Sequence, residues 1–107
     1  MMENKFEMEC QELAEKVTNE IIPTTNDVFW NNNTKQVLEK LLFERLMACQ
    51  SSLNLSVRSI LNSIYELIQN PTFVFHVQEN LKVAENTAHA IQFELKQHLE
   101  IYLENNK

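Results

Sequence analysis

Three histidines, two cysteines and fifteen carboxylates are the side chains in this sequence able to ligate a metal or move a proton. Their spacing decides whether they can act together. Glu85/His89 and Glu94/His98 are four residues apart, so on a helix each pair shares one face. A metal site needs three or four such ligands converging, and neither pair belongs to a His-Glu-x-x-His motif. His76 extends neither pair. Ordinary surface pairs are the expectation, and no metal is called for.

Nucleophilic catalysis needs a nucleophile, a base and a group that orients the base. Cys10 and Cys49 are the candidate nucleophiles, and no local signature surrounds either. Both fall at apolar helical positions, where cysteine behaves as a small hydrophobe. Loops that cradle phosphate are built on glycine, and the chain contains none. The expectation is therefore a non-enzymatic protein with no cofactor.

The missing glycine also limits the fold. Average usage of about 7 % would put roughly seven in a chain of this length. Without them, tight hairpins and bulges lose their usual φ > 0 residue. With two prolines and 44 % hydrophobic residues in 107 positions, the chain reads as a single all-α domain, residues 1–107.

The first helix is expected over about residues 3–22. Phe6, Cys10, Leu13, Val17 and Ile21 recur every three or four residues, and Ala14 widens the stripe. Pro23 should end it, because the residue before proline is pushed out of the α region. Residues 23–33 read as a connector with room for one helical turn near 27–30. Its Phe29 and Trp30 are either a plug for the core or a contact for a partner.

A second helix is expected from about 34 to 69. Asn33 is a suitable N-cap, with Gln36 three residues on. Leu38, Leu42, Cys49, Leu53, Val57, Ile60, Ile64 and Leu67 keep helical spacing along it. Propensity falls at Ser51-Ser52-Leu53-Asn54, where a break would turn the architecture into a four-helix bundle.

Asn70-Pro71 then marks a new helix start, since proline suits the first helical position. The last helix is expected over about 71–104. Val74, Val77, Leu81, Ala84, Ala88, Ile91, Leu95 and Tyr102 alternate spacings of three and four, with His98 in the one gap. That is a heptad pattern of the coiled-coil kind.

Two arms of some 35 residues, each roughly 50 Å long, joined at Asn70-Pro71, predict a long antiparallel helical hairpin. A 20-residue first helix covers only part of such a hairpin. The uncovered seam (Val74, Val77, Leu81, Ala84, Ala88, Ile91, Leu95 and Tyr102), with Phe29 and Trp30, is then the expected interface for protein partners. Small Ala84 and Ala88 would let a partner helix approach closely. Between Ser51 and Ile64 the sole charge is Arg58, and charge depletion marks interface centres. This predicts an interaction subunit of a multi-protein complex, paired with itself or with another chain.

Charge suggests an alternative. The net charge is −6, and residues 1–30 carry seven acids against two lysines, a net of −5. A compact acidic bundle of the inhibitor, immunity or antitoxin type would use that charge to meet a basic target. No basic stripe invites nucleic acid. No run of about 18 apolar residues suggests membrane insertion, and the acidic start does not resemble a secretory signal. A cytoplasmic location is expected.

Overall fold

The stripe on residues 6–21 forms the first helix. In a computed structural model that describes residues 2–23, 28–48 and 57–105, α1 spans Met2–Ile21. The side chains of residues 2–4 and 28–31 fall outside that description. Cys10, Ala14, Val17 and Ile21 are buried, and Phe6 and Leu13 pack against them. The last turn closes with the Ile22 amide donating to the Thr18 carbonyl at 2.8 Å, and Pro23 follows.

α2 spans Val28–Ala48, so it begins earlier than the expected cap at Asn33. Asn33 lies inside the helix, and Phe29 and Trp30 stand in its first turn rather than in a loop. Val37, Leu38, Leu41, Leu42 and Leu46 are buried, with Phe43 and Met47 half-buried beside them. Apolar residues on so much of its circumference suit a helix that touches α1, α3 (Val57–Ile68) and α5 (Glu85–Asn105). Lys35 donates to Asn19 Oδ1 at 3.0 Å and Gln11 to Glu39 at 3.3 Å. As one partner's number rises the other's falls, so α1 and α2 are antiparallel.

The expected weak point at 51–54 lies in residues 49–56, outside the described residues. On either side of it α2 and α3 pack on each other, and Arg45 donates to Ser63 Oγ at 2.9 Å. Eighteen residues apart on one straight helix, those groups would be roughly 27 Å away. The chain therefore doubles back between Ala48 and Val57, and the single arm over 34–69 does not form.

α3 and α5 are also antiparallel. Arg58 donates to the Leu103 carbonyl at 3.2 Å, Tyr65 to Glu100 at 2.6 Å, and Gln92 to the Ile68 carbonyl at 2.6 Å. Between them α4 (Phe73–Leu81) buries Phe73, Val74 and Val77 and packs chiefly on α5. Asn70 organises its start: Oδ1 accepts from the Thr72 amide at 3.0 Å and from the Thr72 hydroxyl at 2.8 Å. The helix thus begins at Phe73, two residues after the proline expected to open it.

The expected continuous helix over 71–104 is interrupted. Lys82 ends α4 in the left-handed region at φ 56°, with its amide donating to the Gln78 carbonyl at 2.8 Å. Val83 and Ala84 follow outside any helix, and α5 opens at Glu85. A left-handed residue at a helix C-terminus is a common stop, but glycine usually supplies it. Lysine there costs roughly 1–2 kcal/mol. The break therefore comes from packing and not from local preference. A straight helix of that length, roughly 50 Å, exceeds the molecule's longest dimension of 41 Å.

Candidate interaction surface

The seam read from the heptad runs inward. Val74, Val77, Ala88, Ile91 and Leu95 are buried in the chain's own core. Leu81 and Tyr102 are half-buried against it, and Ala84 is exposed at the α4–α5 turn. The side chains of Phe29 and Trp30 lie outside the described residues. At the gap in the heptad, Leu99 enters the core, while His98 stays half-buried and pairs with Glu94 at 3.5 Å. Two pairs of antiparallel helices, with α4 beside α5, bury the surface that a long hairpin would have left bare.

The acids of α1 remain on the outside. Glu7, Glu9, Glu12, Glu15 and Glu20 are all exposed, because they lie off the stripe of buried positions 10, 14, 17 and 21. Gln11 bonds both Glu15 and Glu39 at 3.3 Å, which links this face to the neighbouring flank of α2. Near the end of α1, Glu20 accepts from the Tyr102 hydroxyl at 3.3 Å. Partial burial, then the charge of Glu20 and its hydrogen bond, push the Tyr102 phenol above its usual range. The hydrogen bond to Glu100 does the same for Tyr65, with smaller contributions from burial and charge.

Large apolar side chains also reach solvent: Met8 is 61 % exposed, Phe75 65 %, Phe93 59 % and Ile101 60 %. None was among the residues expected at an interface. Their signal was in the sequence nonetheless, because each is a large apolar residue off the stripe of its helix. Met8 stands between Glu7 and Glu9, four residues before Glu12.

Two grooves open elsewhere. One, of about 500 Å³, lies between α2 and the start of α4 and is lined by Leu41, Arg45, Phe73 and His76, among others. Another, of about 410 Å³, lies between the end of α3 and the outer face of α5, beside His89, Phe93 and Lys96. Glu44 and Thr72 also line the first groove, where the Thr72 hydroxyl donates to Asn70 Oδ1 at 2.8 Å. His89 faces Glu85 at 3.7 Å as an exposed pair four residues apart, an arrangement of small energetic consequence. Among the described residues no three His, Cys, Asp or Glu side chains converge as a metal site would require. No described helix is long and apolar enough to cross a membrane.

Compared with family models, curated proteins and solved structures, the chain matches none.

Proposed function

We propose that this protein is non-enzymatic and works by binding another protein, presenting the acidic outer face of α1 to a basic partner. The observation that carries the reading is the exposure of Glu7, Glu9, Glu12, Glu15 and Glu20 on one helix, with Met8 among them. Complementary charge speeds encounter and selects partners. A partly exposed methionine within an acidic field adds adaptable apolar contact. The reading is that of a compact acidic helical protein of the inhibitor or antitoxin kind. An interaction subunit docking through the heptad seam would need side chains that this fold uses internally, such as Ile91 and Leu95.

The test is capture of binding partners by the wild type and by the Glu9→Lys/Glu12→Lys/Glu15→Lys variant, at low and raised salt. Each reversal changes the charge by two, so the variant takes residues 1–30 from −5 to +1. All three sites are exposed, and the thermal transition should stay in place. The wild type is expected to retain basic protein that salt releases, and the variant to retain none. Equal capture by the two, or capture indifferent to salt, sinks the reading.

A further inference from the structure

The turn between α4 and α5 consists of Lys82, Val83 and Ala84. Lysine and alanine are among the better helix formers, and valine is penalised only mildly. None of the three is a glycine, proline, asparagine or serine, although Asn80 and Asn86 flank the turn. Among the described residues Lys82 is nevertheless the one non-glycine with positive φ, a region that penalises any side chain with a Cβ.

The apolar repeat, by contrast, passes through the turn in phase. Val77, Leu81, Ala84 and Ala88 keep spacings of four, three and four, as one unbroken helix would require. Two helices that met only at a bend would have no need to share that phase. Straightened, the two helices would run roughly 50 Å, whereas the bent molecule measures 41 Å along its longest axis. The single copy bends where its local sequence prefers to continue.

We infer that the α4–α5 turn is a hinge that straightens to exchange α5 between two copies of this chain. In the exchanged form α5 leaves its own α1–α4 and packs identically on those of the second copy. The Gln92 bond to the Ile68 carbonyl and the Tyr65 bond to Glu100 are then remade between chains. The contacts of the monomer away from the turn are conserved, the strain at Lys82 is released, and two straight helices meet near their middles. Leu81 and Ala84, half-buried and exposed in the monomer, lie at that meeting point. Short hinges under strain invite such exchange.

The experiment refolds the full chain at high protein concentration, then measures mass by light scattering after size exclusion. The wild type is expected to yield a dimer that persists on dilution, and Lys82→Ala, which keeps the Cβ, to yield as much. Lys82→Gly relaxes the bent form and should shift the equilibrium toward monomer by about tenfold or more, equivalent to roughly 1.4 kcal/mol. Glu85→Pro should give no dimer. Proline suits the first position of α5 but would break a straight helix there. Its monomer should keep wild-type helicity.

The exchange itself is read with cysteines at positions 65 and 100 (Tyr65→Cys/Glu100→Cys in a Cys49→Ser background), joined by a short bifunctional thiol reagent. Links between chains in the dimer support exchange. A wild type that stays monomeric under all conditions overturns the proposal. So does dimer formation by Glu85→Pro, or a dimer linked only within each chain.

Discussion

Thr18 and Thr34 are buried to about the same degree as the leucines around them, yet neither hydroxyl finds a hydrogen-bond partner among the described residues. Burying an unpaired hydroxyl costs about 1–3 kcal/mol. Thr18→Val keeps the branched shape and removes the polar atom. It should raise unfolding stability by about 1 kcal/mol, measured by denaturant titration. The two tyrosines give a pH signature. Tyr65 and Tyr102 have phenols pushed above the ordinary value of 10.0. A folded-state value above the unfolded one adds stability that is fully present below the unfolded value and is lost as pH rises through the folded one. Absorbance titration should show both phenols ionising above pH 10.0 in the native protein. Stability should fall as pH climbs through that range, and part of the fall should vanish in Tyr102→Phe.

At the scale of the element, helix starts and stops divide into those set locally and those set by packing. Pro23 and Asn70-Pro71 act locally: α1 ends just before the first, and the second separates two helices, although α4 opens at Phe73 and not at Pro71. The start of α2 and the end of α4 are not set locally. Asn33 is a competent cap, but helical conformation at Val28 to Asn32 leaves it nothing to cap. Lys82 is a competent helix residue placed at a stop. Lys82→Gly should stabilise the monomer. It relieves roughly 1–2 kcal/mol of left-handed strain and adds about 0.5–1 kcal/mol of chain entropy cost. The net gain is about 0.5–1 kcal/mol, readable as a raised thermal midpoint. A lowered midpoint would mean that the lysine side chain holds the turn by contacts of its own.

For the whole molecule, the relevant question is which side of the heptad faces water. Ile91 and Leu95 are wholly buried, whereas Leu81 is half-buried near the turn. Leu95→Ala should cost about 2–5 kcal/mol, the range for emptying a packed leucine site. Ile91→Asp should prevent folding of the isolated chain altogether, because it buries a charge with no partner. Leu81→Asp should be milder and leave a cooperative transition. Circular dichroism of the three variants as monomers checks the order. If Ile91→Asp folded normally and lost only assembly, the seam would belong to an interface and not to the core.

The residues alone determined the helical class, since a chain without glycine and with three- and four-residue apolar spacing has little else to become. They also determined which faces are apolar: Cys10, Val17, Leu38, Ile64, Ile91 and Leu95 were all legible as stripe positions, and all are buried. What covers those faces was not legible. Periodicity reports that a stripe must be hidden, and it is identical whether the cover is a partner chain or the protein's own next helix. Only the tertiary structure decided this, by folding the chain back between Ala48 and Val57 and bending it at Lys82. The physical reason is that both reversals are favoured by burial summed over many distant contacts, a quantity no local window of residues contains.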